Sequence, residues 1–318
     1  MTGAVHTQPG VRIRDVAPRL AFQAHAACTA DKVELVNRLI AAGVRAIEVS
    51  SFVRPDLIPG LADAAEVFAR VDRVPDVSLE CCVGNVRGLD RAVDAGADAA
   101  WFLLSADDGF ARDNIGRTTE ESLRELARMR TLADATGIEL GTYVIFAWGG
   151  PSGPARGADE LEPLARRLLD VGVTRWILAD SSGYAAPPQV RDLVQAAAEL
   201  VALDQLTVQV HDGRGLGLAD VVELVRLGAT RIDTSLAGSG GHPAMPAAQG
   251  GGVCTEDAVQ LLDLLGLDAG IDLAALIDAA NWLERTVGVP AKGFVRLTGP
   301  VPASASEQPA GSEFRWRS

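Results

Sequence analysis

The chain has 318 residues, 48% of them apolar, and a formal net charge of −13. That length supports one large core or two small ones, and the composition excludes a disordered or fibrous chain. The acidic balance disfavours a nucleic-acid duplex or an anionic membrane as partner.

No run of 18 apolar residues is present, so no membrane span is expected. The opening MTGAVHTQPG lacks the charged and apolar regions of a secretory signal. Cys28, Cys81, Cys82 and Cys254 show no C-x-x-C spacing. They read as reduced thiols, and the expected location is cytoplasmic.

In chain order, strands are predicted near 11–17, 44–50, 77–83, 98–104, 139–147, 174–180, 206–211 and 230–235. Helices are predicted near 29–42, 58–71, 86–95, 117–136, 158–171, 186–202, 216–227 and 255–266. One junction recurs in LIAAGVRAIEVSS, AVDAGADAAWFLLS, LLDVGVTRWILADSS and LVRLGATRIDTSL. A helix ends on a left-handed Gly and a short buried strand follows. Eight such units imply a closed (β/α)8 TIM barrel. The competing open doubly wound sheet lacks its Gly-rich fingerprint after the first strand. Residues 270–287 read as an extra amphipathic helix, packed on the barrel or on a partner chain. The predicted domain spans 1–290. Residues 291–318 form an extension, read as largely disordered, whose GSEF resembles a cloning scar.

In such barrels the site lies at the C-terminal strand ends. The segment VRIRDVAPRLAFQ (11–23) reads as a strand running into a loop that carries Arg19 and Gln23. The other strands place Glu48, Ser50 and Ser51, then Asn85, then Ser105 and Asp107, then Trp148 in a Gly-rich loop, then Asp180. The seventh ends Gln209-Val210-His211-Asp212, with Gln209 and His211 on one side by strand alternation. A long Gly-rich loop carrying His242 follows the eighth and reads as a lid.

Arg19 suits a carboxylate or an enolate oxygen, and His211 and His242 suit proton transfer near neutral pH. Each has a plainer reading. Glu48 and Asp180 would simply pair with Arg19. His211 would be a structural histidine and His242 a surface residue. Asp107 would cap a helix, and Cys81 and Cys82 would fill the core.

Several segments together resemble the 3-hydroxy-3-methylglutaryl-CoA lyase family, within the metal-dependent TIM-barrel lyases and Claisen-type synthases. They are PRLAFQ, AIEVSSFVRPDLIPGLADAAEVF, ILADSSGYAAP, VHDGRGLGLADVVELVRLGATRIDTSLAGSGGHP and TEDAVQLLDLLG, over about 11–290. The resemblance implies C–C lyase chemistry, with an acyl thioester as the small-molecule substrate. Arg19, Gln23, Glu48 and Asp180 keep the family's residues. The family's metal-binding Asp is Leu20 here, and its first strand-7 His is Gln209, while His211 remains. Its loop Cys matches His242, and its loop Asn ligand matches Gly252 after a one-residue insertion.

With one firm ligand left, no divalent metal or other cofactor is expected. The expectation is a metal-independent lyase in which Arg19, His211, His242, Glu48 and Asp180 do the chemistry. Gln23, Asn85, Trp148, Gln209 and Asp212 would bind substrate. A non-catalytic binding or scaffold protein is the alternative, and a rebuilt metal site from His211, Asp212 and His242 is a third reading. A homodimer is expected, through the extra helix at 270–287.

Overall fold

A computed structural model describes residues 10–153, 156–240 and 251–302. Eight parallel strands close into a barrel in sequence order. They are β1 (Arg12–Asp15), β2 (Ala46–Phe52), β3 (Ser78–Val83), β4 (Ala99–Ser105), β5 (Glu139–Ile145), β6 (Trp176–Ala179), β7 (Leu206–Gln209) and β8 (Arg231–Thr234). β1 closes the ring, with Arg14 level with Asp233 of β8 and Ala46 of β2.

The helices are α1 (Ala17–Ala24), α2 (Thr29–Ala41), α3 (Ala64–Arg70), α4 (Val86–Asp94), α5 (Asp108–Phe110), α6 (Thr119–Thr136), α7 (Ala158–Asp170), α8 (Pro187–Ala198), α9 (Gly217–Arg226), α10 (Thr255–Leu264), α11 (Leu273–Trp282) and α12 (Phe294–Thr298). The recurring Gly junction is real: Gly43, Gly96, Gly172 and Gly228 all have positive φ. Each ends its helix in a conformation that a Cβ would strain.

Three expectations are corrected. The chain after β1 is not a loop. Pro18 pre-sets the backbone near the start of α1, and Arg19, Leu20 and Gln23 all sit on that helix. The predicted helix over 58–71 is a short 3-10 turn, Pro59–Leu61, followed by α3. The extension is ordered further than expected. Asp257 accepts the Phe294 and Val295 amides at 3.0 and 2.8 Å, which seats α12 on α10. Residues 303–318 lie outside the described residues. The extra helix packs on the barrel: Asp272 caps α11, and its amide donates to Ala42 O at the end of α2.

Alternation along the strands divides the apolar residues into two cores. The larger lies between sheet and helices and includes Leu35, Leu39, Phe68, Leu126 and Trp148. The smaller lies inside the barrel and joins Cys82, Trp101, Tyr143, Ile177 and Ala179. Gly141 leaves the room that Trp101 fills, since a Cβ there would overlap the indole ring. Gly141→Ala is therefore expected to destabilise the fold by roughly 1–3 kcal/mol, read as a lower urea midpoint. An unchanged midpoint would remove Trp101 as the residue that sets the barrel's inner packing.

Candidate active site

The barrel interior is built around Arg14. Its Nε donates to Glu80 Oε2 at 2.6 Å and its Nη2 to Glu48 Oε1 at 2.7 Å. Its Nη1 donates to Asp233 Oδ2 at 2.7 Å and to the Tyr143 hydroxyl at 2.8 Å. The guanidinium also lies 5.2 Å from the Trp101 ring centroid. Tyr143 donates in turn towards Glu48 at 2.9 Å, and the Gln209 amide donates to Asp233 at 3.1 Å. Glu48 carries the network upward, its Oε2 receiving the Arg19 Nε at 2.5 Å.

Three carboxylates thus face two guanidiniums in a site closed to water. Burial would raise Glu48, but Arg19 and Arg14 prevail and hold it down to about 2. Asp233 is pushed up to about 7, by burial first and then by Glu48 and Glu80, although Arg14 works against it. Its Oδ1 has no partner among the described residues, which leaves a place for the proton.

At the mouth, Arg19 and Gln23 are four residues apart on α1 and so share a face. Arg19 is 9% exposed, and Gln23 is half-buried. Leu20 is buried beside them, against Gly240 at the start of the Gly-rich loop. The end of that loop returns to β7, where His211 and Gly252 form an antiparallel bridge. His211 Nδ1 is buried without a partner among the described residues. Burial, then Arg19, holds this imidazole down at about 4, and Lys292 from the segment beyond α11 adds to the effect. His211 is therefore held in its neutral form near pH 7, with Arg19 and Lys292 acting on it through their charge.

The other expected residues separate. Asp180 does not pair with Arg19. It accepts the Tyr184 and Ala185 amides at 2.8 and 3.1 Å, shaping the turn after β6, and burial raises it to about 6. Asn85 caps α4 by accepting the Gly88 amide at 2.9 Å. Asp212 accepts the Gly217 amide at 2.9 Å at the start of α9. Gln209 is 5% exposed and turned to Asp233. Trp148 is not at the mouth: it is buried in the outer core, its Nε1 donating to Gln189 O at 3.0 Å. Asp107 caps α5, and burial raises the Cys81 and Cys82 thiols well above the usual range, so neither is a ready nucleophile. His242 lies outside the described residues. Arg14, Tyr143 and Asp233 lie within the strands, below the strand ends that the barrel rule singles out, so the sequence reading does not include them. The alternation of Arg12 and Arg14 in RIRD was the signal that pointed inward.

Of the four positions that the family resemblance equates with metal ligands, His211 keeps a ligating side chain and the other three carry no strong donor. Leu20 has no donor atom. The Gln209 amide nitrogen faces Asp233. A Cβ at Gly252 would sit 3.1 Å from the Ser235 Cβ, so even a larger residue there would need a shift. Among the described residues no group of three His, Cys, Asp or Glu is arranged to hold a metal.

Comparison with known proteins gives this arrangement a lineage. The HMGL-like family profile matches residues 11–283. This chain belongs to the HMGL-like family. A Bacillus subtilis hydroxymethylglutaryl-CoA lyase is 32% identical, covering 88% of this chain and 94% of the relative. An (R)-citramalyl-CoA lyase of Chloroflexus aurantiacus is 34% identical, covering 92% and 95%. The structure of an Acinetobacter baumannii HMG-CoA lyase in complex with coenzyme A and 3-methylmalate superposes with a TM-score of 0.89 at 31% identity, covering 96% of this chain and 99% of that one. The HMGL-like relatives named here are lyases. No helix among the described residues is long and apolar enough to cross a membrane.

Two predictions follow from the charges. Arg14→Met leaves three carboxylates buried around an apolar side chain, so a loss of about 3–5 kcal/mol is expected in urea unfolding. A loss below about 1 kcal/mol would show that the network does not hold the barrel together.

The second concerns pH. Asp220 is fully buried with neither oxygen hydrogen-bonded among the described residues, and burial followed by Asp180 and Asp212 raises it to about 7. Burial likewise raises Asp233 to about 7 and Glu256 to about 8. A carboxyl raised in the folded state stabilises the fold fully at low pH, and that contribution is lost as pH rises through the raised value. His211 acts the other way, but its contribution is complete above the unfolded value near 6.5. Tm is thus expected to fall from about pH 6.5 to about pH 8.5, and Asp220→Asn to flatten that fall. Calorimetry showing a flat or rising Tm in the wild type would contradict the buried-acid account.

Proposed function

We propose that this chain is a carbon–carbon lyase that cleaves a 3-hydroxyacyl-CoA thioester without a divalent metal. One observation carries the reading. An imidazole held neutral, His211, has a buried nitrogen unpartnered among the described residues and feels the charge of a guanidinium, Arg19, that Glu48 holds in place. Base and cation are the two groups a retro-aldol cleavage needs.

His211 accepts the proton of the 3-hydroxyl group. The C2–C3 bond breaks, a carbonyl forms at C3, and the electron pair moves into the thioester enolate. Arg19 stabilises the enolate oxygen, or binds a substrate carboxylate through its remaining N–H groups. A proton returned to C2, from the imidazolium or from His242, completes an acyl-CoA product. An anionic substrate at Arg19 also offsets the charge that depresses His211, so the base strengthens as the complex forms. Gln23 shares the face of α1 with Arg19 and is placed to orient substrate. Glu48 and Asp180 act through others, by fixing Arg19 and the turn after β6. The donor set at Leu20, Gln209 and Gly252 supports metal independence. The relatives' printed activities support the substrate class.

The test is turnover of hydroxymethylglutaryl-CoA and citramalyl-CoA, followed by mass spectrometry of the products, before and after chelation. Activity is expected to survive EDTA in protein with substoichiometric metal. Arg19→Ala and His211→Ala are each expected to lower kcat/KM by at least about 100-fold without loss of fold. Stoichiometric Mg²⁺, Mn²⁺ or Zn²⁺, or full activity in either variant, would overturn the mechanism. Tight CoA-ester binding with no products would favour a non-catalytic binding protein.

A further inference from the structure

The opposite end of the barrel holds an unbalanced cluster of arginines. Arg12 and Arg231 face each other in register across β1 and β8. They alternate with Arg14 and Asp233 and therefore enter the barrel from below. Arg175, just before β6, joins them, its Nη1 2.5 Å from Glu139 Oε1 and its guanidinium 6.0 Å from the Trp101 ring centroid. Three guanidiniums share this one carboxylate.

The next acid up the barrel is already engaged. Glu80 receives Arg14, Trp101 and Ser78. The Arg231 side chain makes no hydrogen bond or ion pair among the described residues, and within them the Nε atoms of Arg12 and Arg175 are buried and unpartnered. Like charges in directly opposed strand positions destabilise a sheet. Burial and the two neighbouring arginines depress the Arg231 guanidinium accordingly. Arg231, Arg12 and Arg175 are only half-buried, and Arg12 and Arg45 also line a cleft of about 590 Å³ whose outer wall carries Asp76 and Asp268. Residues 1–9, which precede β1, contain no Asp or Glu.

We propose that the Arg12–Arg175–Arg231 cluster binds a compact oxyanion, phosphate or the phosphate group of a larger ligand, at the end of the barrel remote from the candidate active site. Guanidiniums match the bidentate geometry of phosphate oxygens. The anion would supply the negative charge that the protein withholds.

The test is thermal unfolding of the full chain across inorganic phosphate at constant ionic strength, with chloride as the balancing salt. In the wild type a saturable rise is expected, roughly 3–5 °C at ten times the Kd. Arg231→Gln is expected to lose that rise and, in chloride, to unfold at the wild-type temperature or above, because the repulsion is relieved. The ³¹P line of phosphate is expected to broaden with the wild type and not with the variant. Competition by ADP at lower concentration than phosphate would identify an attached phosphate group, and weaker competition the free ion. Either result stands with the proposal. No saturable rise in the wild type, or equal rises in both proteins, would overturn it, since excluded salts stabilise all folds alike.

Discussion

The rest of the structure depends on one guanidinium. Arg14 sits on the barrel axis and satisfies groups from β2, β3, β5 and β8 at once. A barrel interior normally closes on layers of branched apolar side chains. Here half of it is apolar, around Trp101, Tyr143 and Ile177, and half is ionic. Buried charges are tolerable only when paired and hydrogen-bonded, so the position of each strand is tied to a specific partner across the barrel. The same constraint decides protonation. With two cations for three acids, Asp233 is the one pushed up, to about 7, while Glu48, shared by Arg14 and Arg19, stays ionised.

Glu48 transmits this rigidity to the mouth. One of its oxygens belongs to the interior and the other to Arg19, so the guanidinium at the mouth is anchored from beneath. α1 completes the arrangement, because a helix directly after β1 puts Arg19 and Gln23 on one face and Leu20 beside them against Gly240. Two of the three non-glycine residues with positive φ among the described residues, Phe146 and Ala237, follow strand ends on the mouth side, and the third, Asp76, precedes β3. The anchored cation and the neutral imidazole of His211 are products of the fold.

Much of this was legible in the chain. The strands over 78–83 and 99–105 match their predicted positions because both are apolar runs bounded by turn residues. Helix ends were marked by glycines whose left-handed backbone other residues resist. Glu48, Arg19 and His211 read as candidate site residues from their places in the barrel units and from the family resemblance, and the fold does bring Arg19 onto Glu48. The chain after β1 was misread because PRLAFQ is too short to show a helical stripe, and tertiary contacts make the helix. Trp148 was misplaced because a Gly-rich loop says nothing about which way an indole turns. Asp180 was assigned to Arg19 on charge alone, whereas nearby backbone amides satisfied it.

By itself the sequence determined the barrel, its order of elements, its HMGL-like ancestry and the absence of side-chain donors at Leu20 and Gly252. These follow from local periodicity and residue identity, which need no third dimension. Only the tertiary structure decided which charges meet. Arg14, Glu80, Tyr143 and Asp233 are up to 219 residues apart in the chain and become partners only when the barrel closes. The raised titration of Asp233, the neutrality of His211 and the crowded arginines at the far end all depend on burial and distance, and neither is written in residue order.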